Sequence, residues 1–333
     1  MADNLPLLQI KNLSVGFTGS HAGKPVVRGV DLEVRHGEIV GLVGESGSGK
    51  SVTCFAAIRL LGERGWTEGE ILLEGKNVLE FSEKDIVATR GKKIAMIFQD
   101  AQSSLNPVQT IGSQLMEALM LREDLSGASA DDFRKEAVSL LTEVGIPDPQ
   151  RRLNEYPHQL SGGQNQRVMI AMMLSGNPDL LIADEPTTAL DVTIQAQILR
   201  LLKKIRQNRN MSIILVTHDL GVVAETCDRV AVMYGGRLME SGNVLDVLVK
   251  PIHPYTYGLL RSKPRVDIKV EKLETIEGVV PSPEDLPEGC PFADRCSNRL
   301  DNCKDVLPPV KSAENGRLYA CLNPMKESTV WER

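Results

Sequence analysis

Gly44-Glu45-Ser46-Gly47-Ser48-Gly49-Lys50-Ser51 follows the apolar run Ile39-Val40-Gly41-Leu42-Val43 and leads into Val52-Thr53-Cys54-Phe55-Ala56-Ala57-Ile58. The pattern is G-x4-G-K-S between an apparent buried strand and a helix, the setting in which such a loop wraps phosphate. Glycines let the backbone turn its N–H groups inward, and the helix N-terminus adds its dipole. Gly44, Ser46, Gly47, Ser48, Gly49, Lys50, Ser51 and Val52 are therefore the candidate phosphate contacts. Lys50 brings a point charge to the β- and γ-phosphates, and the Ser51 hydroxyl suits Mg2+. A glycine turn of this form arises by chance in on the order of one chain in a hundred of this length. The strand and helix on either side lower that further.

Outward from the loop, four more short apolar runs stand before turn residues: Ile94–Phe98, Leu180–Ala183, Ile213–Val216 and Val230–Met233. Runs apolar throughout predict strands buried on both faces, in a mostly parallel sheet covered by helices. Leu8 and Ile10, then Val30, Leu32 and Val34, alternate instead and predict an antiparallel β edge. From about 108 to 175 the alternation of strand and helix stops, and positions such as Ala137, Leu140, Leu141 and Val144 predict an inserted helical subdomain. Residues 263–333 hold 8 of the 18 prolines and four of the six cysteines. The expected organisation is an α/β domain over 1–262 and a small, loop-rich C-terminal extension over 263–333 that needs a staple to be ordered.

Composition narrows the function classes. The chain has 333 residues, 42% hydrophobic and 25% charged, which is ordinary for a globular protein. The longest apolar run, Val168 to Leu174, is far below the ~18 residues of a spanning helix. Met1-Ala2-Asp3-Asn4 lacks the basic and apolar regions of a secretory signal, so a cytoplasmic location without disulfides is expected. The formal charge is −6, the basic residues are scattered pairs such as Lys92-Lys93 and Lys203-Lys204, and aromatics are 4%. Nothing there supports a nucleic-acid role.

Two further motifs complete the chemistry. Leu180-Leu181-Ile182-Ala183 delivers Asp184 and Glu185 at a strand end. Beside a phosphate loop, Asp184 suits the Mg2+ ion and Glu185 is placed to polarise an attacking water. Leu160-Ser161-Gly162-Gly163-Gln164 stands 23 positions before Asp184 and opens an apolar helix. It is a second helix N-terminus rich in small residues, an anion site in its own right. One chain offers one γ-phosphate, so this second site is expected to serve another subunit's nucleotide.

With those residues, 7 to about 262 resemble the ATP-binding subunits of ABC transporters. The resemblance implies an ABC-type P-loop ATPase using ATP and Mg2+, with Lys50, Gln99, Glu185 and His218 in catalysis. It implies that Phe17 stacks on adenine, that Gln99 joins Ser51 and Asp184 at the Mg2+ ion, and that Ala189-Leu190-Asp191 is the D-loop, with Asp191 at the nucleotide. Ser161, Gly162, Gly163 and Gln164 are implied as the signature facing the nucleotide. Tyr156-Pro157-His158-Gln159, the stretch from Ala189 to Gln197, His253-Pro254-Tyr255-Thr256 and the cysteine tail together resemble the ATPases of dipeptide, oligopeptide and nickel importers. That group implies a second ATPase subunit, expected to be a paralogue forming a heterodimer, two transmembrane permeases and, indirectly, an extracytoplasmic substrate-binding protein. It places the chain peripherally on the cytoplasmic face of the inner membrane, with peptide as the expected cargo and nickel or another small solute as the alternative. A non-transport ABC ATPase is the competing class, but the coiled-coil insertion or second cassette usual there is absent from this sequence.

Cys290, Cys296, Cys303 and Cys321 follow C-x5-C-x6-C-x17-C, without the tight pairs of common zinc sites or the ferredoxin spacing. Four thiols in a proline-rich tail argue for a metal staple, and spacing leaves zinc and iron–sulfur both open. The resemblance implies a [4Fe-4S] cluster on these four. Cys54 and Cys227 read as small buried hydrophobes.

Overall fold

The computed structural model describes residues 5–19, 23–100, 104–188, 190–262 and 275–325. Two compact units emerge: one joins the chain up to Glu80 with the chain from Thr217 onward, and the other runs from Phe81 to Val216.

In the first unit, Leu8–Phe17 lies between Val27–Val34 and Gly65–Leu73 in an antiparallel sheet, with Lys76–Asn77 at its edge. The alternating residues do what their period predicts: Leu8 faces Val34, Ile10 faces Leu32, and all four are buried. The register shifts between Ile10 and Leu13, where Asn12 takes φ +47° and its N–H donates to Asp31 Oδ1 at 2.8 Å. This irregularity re-aims the strand toward its Phe17 end.

The phosphate-loop strand Ile39–Val43 is buried at all five positions and pairs in parallel with Arg229–Tyr234. Gly235 and Gly236, both at positive φ, turn that strand back into the antiparallel Arg237–Asn243. The C-terminal extension continues this sheet. Leu318 pairs with Ser241 and Tyr319 with Glu240, and Lys311–Ser312 adds outside them. Tyr234, Tyr255 and Phe292 meet edge-on or tilted at centroid distances of 4.7, 5.2 and 5.1 Å. Such pairs add about 0.5–1.5 kcal/mol each beyond their buried area. Cys290, Ala293 and Cys303 share that core with Val230, Val232, Leu248 and Leu260.

In the second unit, Ile94–Ile97, Leu180–Asp184 and Ser212–Thr217 run parallel with Leu180–Asp184 in the middle, and every residue of the three is buried. The first of these strands stops one residue short of the predicted run, because Phe98 is already 37% exposed. Between Ile97 and Leu180 the described residues hold helices and no strand, chiefly Ile111–Leu119, Ala130–Glu143 and Gly162–Leu174. Ala137, Leu140, Leu141 and Val144 are the inward stripe of the second, which Ser129 and Asp132 start as a capping box. Its Glu143 takes a two-pronged contact from Arg209, at the end of the long helix Val192–Arg209. No helix among the described residues is long and apolar enough to cross a membrane.

Candidate nucleotide site

The loop after Ile39–Val43 is wound around its own lysine. Lys50, 6% exposed, donates from Nζ to Gly44 O at 2.8 Å, Glu45 O at 2.9 Å and Ser48 Oγ at 3.3 Å. Gly44 has φ +156°, and a Cβ there would stand 2.1 Å from Met233 O, so only glycine fits. Gly49, at φ +98°, starts the helix Lys50–Ala57 without any side-chain cap, and no acidic residue lies in the first turn. A helix start without a side-chain cap or a first-turn carboxylate is a setting in which a phosphate can be received.

Phe17 ends its strand opposite Gly65 and is half-buried. His218 is exposed at the end of the strand Ser212–Thr217, one residue before Asp219, which caps the helix Leu220–Thr226 by accepting from Gly221 N at 2.9 Å. Phe17, residues 44–52 and His218 belong to the first unit.

The second unit carries the acids and the signature. Asp184 is 4% exposed at the end of the central strand. Glu185 follows at φ +46°, uncommon for a residue with a Cβ, with its N–H on Val216 O at 3.0 Å. Its Oε2 accepts from Gln99 Nε2 at 3.2 Å and from Thr188 Oγ1 at 2.9 Å. Two residues 86 positions apart are therefore brought together. Thr188 was not foreseen; its Glu-x-x-Thr spacing, one turn past Glu185, was the available signal.

At the start of Gly162–Leu174, Ser161 Oγ accepts from Gln164 N at 3.3 Å and Gln164 Oε1 from Ser161 N at 3.0 Å. The Gln164 side chain thus also completes a capping box with Ser161, and Gly162 and Gly163 fill the helix's first turn. A Cβ on Gly163 would stand 2.8 Å from Ile194 Cγ2, so this glycine serves close helix approach. Asp191 likewise caps Val192–Arg209, accepting from Ile194 N at 3.0 Å. Ala189 lies outside the described residues.

The four tail cysteines are free thiols, three of them buried. Burial pushes Cys290 up to about 12 and Cys321 up to about 11, and each also feels its fellow thiols: Cys296, Cys303 and Cys321 act on Cys290. Cys296 is raised as well, by burial first. The four thus share one neighbourhood, although among the described residues no three His, Cys, Asp or Glu side chains form a group that would hold a metal ion. Cys54 is buried as expected, whereas Cys227 is only half-buried.

A phosphate loop at a strand-to-helix junction, in a mixed sheet with helices, defines the class as a P-loop ATPase. Residues 27–188 match the ABC transporter family, and residues 239–303 match the oligopeptide/dipeptide transporter C-terminal region. The oligopeptide transport ATP-binding protein AppD of Bacillus subtilis is 48% identical over 317 residues, covering 95% of this chain and 96% of its own. The dipeptide transport ATP-binding protein DppD of Bacillus subtilis is 50% identical, covering 91% and 90%, and OppD of Escherichia coli is 47% identical, covering 96% and 94%. Among solved structures, the dimeric bacterial ABC transporter cassette MJ0796 superposes with a TM-score of 0.62 at 30% identity, over 71% of this chain and 98% of that one. The chain belongs to the ATP-binding subunits of ABC transporters, with the C-terminal region of the peptide-transport branch, and it is an ATPase.

Proposed function

We propose that this chain powers the import of di- or oligopeptides, as one ATPase subunit peripherally bound on the cytoplasmic face of the inner membrane. The observation that carries this reading is that relatives named for oligopeptide and dipeptide transport align over both the ATPase portion and the cysteine-bearing extension. An ABC importer acts through transmembrane permeases. The partner ATPase is a paralogue in a heterodimer, and an extracytoplasmic binding protein delivers the cargo. The functional division follows residues 1–262, with 108–175 as helical subdomain, and 263–333.

ATP lies with its phosphates in the loop Gly44–Val52, and Phe17 stacks on the adenine. Lys50 neutralises the β- and γ-phosphates; Ser51, Asp184 and Gln99 are the residues that would hold Mg2+, which when bound would supply charge neutralisation at the transferring phosphoryl group. Glu185 orients the attacking water and His218 contacts the γ-phosphate. The bond from Gln99 to Glu185 supports this division of roles, because it holds the water-polarising carboxylate beside the proposed metal contact. Ser161, Gly162, Gly163, Gln164 and Asp191 face the partner's nucleotide.

Cys290, Cys296, Cys303 and Cys321 would hold a [4Fe-4S] cluster. Support comes from the four thiols sharing one neighbourhood, with Cys296, Cys303 and Cys321 each acting on Cys290 and the Cys290 N–H on Cys303 O at 2.8 Å. When bound, the cluster supplies four iron–thiolate links that close the tail's loops.

The test is uptake of a radiolabelled dipeptide and tetrapeptide by cells carrying the intact transporter or its Lys50→Ala form. ATP-dependent peptide uptake lost in the variant is expected. Uptake of nickel but not peptide would replace the cargo, and no uptake of either would remove the import reading.

A further inference from the structure

The loop residue Glu45 is gripped from three directions, and two of the grips come from the C-terminal side of the chain. Its carbonyl accepts from Lys50 Nζ, inside the loop. Its N–H donates to Tyr255 Oη at 2.9 Å, from the helix Pro254–Arg261. Its carboxylate takes a fork from Arg295, Nη1 to Oε1 at 3.0 Å and Nη2 to Oε2 at 3.0 Å.

Arg295 is built to hold that position. Its side chain is only 7% exposed. Nε donates to Glu277 O at 2.8 Å, Nη2 to Gly278 O at 3.1 Å and Ile276 O at 3.3 Å, and Nη1 to Tyr234 Oη at 3.3 Å. Each guanidinium nitrogen thus has an acceptor, and the guanidinium also lies 5.6 Å from the Tyr234 ring centroid. The turn Ala293–Arg295 that carries it sits between Cys290 and Cys296, with Phe292 and Ala293 in the core and the Cys290 N–H on Cys303 O at 2.8 Å. The position of Arg295 is therefore set by the packing of the cysteine module.

We infer that Arg295 is a positioning residue for nucleotide binding: through Glu45 the cysteine module holds the phosphate loop in its wrapped form before nucleotide arrives. The inference rests on the proposed role of residues 44–52. Ordering a glycine-rich loop costs conformational entropy, and a clamp that has already ordered it strengthens binding without touching the chemical step. Its effect belongs in nucleotide Kd and KM, not in kcat.

The experiment measures binding of a fluorescent ATP analogue and steady-state hydrolysis on the full chain in its assembled transporter, for the unaltered protein, Arg295→Ala, Arg295→Lys and Glu45→Gln. Arg295→Ala is expected to raise Kd and KM about ten-fold with kcat at saturation within about two-fold, a shift of the size preorganisation effects reach. Arg295→Lys should restore part of the loss, because a lysine keeps the charge but not the fork. Glu45→Gln leaves the cysteine module untouched and should move Kd in the same direction by less. Adding Glu45→Ala to Arg295→Ala should weaken binding no further, as expected when both act through one contact. If the unaltered chain binds no nucleotide, the phosphate-loop reading and the clamp both fall. If it binds, and Glu45→Gln binds equally tightly, the clamp alone is overturned, whatever Arg295→Ala does to the fold.

Discussion

Two helices of this protein begin with small residues, and their N-termini are finished in opposite ways. Lys50–Ala57 starts from Gly49 in a left-handed conformation with no side chain on its leading N–H groups. Gly162–Leu174 starts from Ser161, which closes a reciprocal pair of hydrogen bonds with Gln164. The first end is wound around a buried lysine and has no side-chain cap; the second has met part of its own demand with side chains. The first is accordingly the end proposed to hold this chain's own nucleotide, and the second the end proposed to face the partner's.

Altering each end should separate them. The largest effect is expected from Lys50→Ala, which removes the loop's central donor and leaves the Gly44 and Glu45 carbonyls without it. Loss of a charge-assisted contact of this kind costs about 2–3 kcal/mol, or some tens- to a hundred-fold in nucleotide affinity, read by isothermal titration. Gly163→Ala comes next, since its Cβ meets Ile194 Cγ2 at 2.8 Å. Overpacking there should cost about 1–3 kcal/mol in a denaturant melt, with binding at the loop unchanged. Ser161→Ala should cost about 1 kcal/mol through the lost cap, also without changing loop affinity. A weaker nucleotide Kd at this chain's own phosphate loop in either signature variant would mean that the two ends are not separate.

The smallest effect is one of pH. His253, 1% exposed, caps Pro254–Arg261 through Nδ1, and burial pushes it down to about 3. The unfolded chain takes up a proton below about 6.5 that the folded chain refuses, so stability is full above that pH and falls as pH drops toward 3. At pH 6 the loss should be about 1 kcal/mol or less. His253→Asn keeps a capping oxygen, and its melting temperature should show a shallower fall between pH 7 and pH 5.

What could be read from the chain, and what could not, divides along the same physical line. The loop 44–51 and the strands around it were legible because local rules govern them: glycines where φ must be positive, unbroken apolar runs where both faces are buried. Ser161 and Gln164 show a local rule with two meanings, since S-x-x-Q is also a capping box, and the structure uses it as one. Asp191 shows the same double use, for a carboxylate before a helix is also an N-cap. Contacts between distant residues left no such mark. The bond from Gln99 to Glu185, the pairing of Leu318 and Tyr319 with Ser241 and Glu240, and the fork from Arg295 to Glu45 span 77 to 250 positions, and neither period nor spacing encodes them.

The most direct test of the central claim, that Glu185 carries ATP hydrolysis for a phosphate loop that binds independently of it, compares Glu185→Gln with the unaltered protein in the assembled transporter. Nucleotide Kd and ATP turnover would be measured on the same samples. The account predicts an unchanged Kd and turnover reduced by roughly 100-fold or more, the contribution of a positioned general base. Turnover equal to that of the unaltered protein would contradict it.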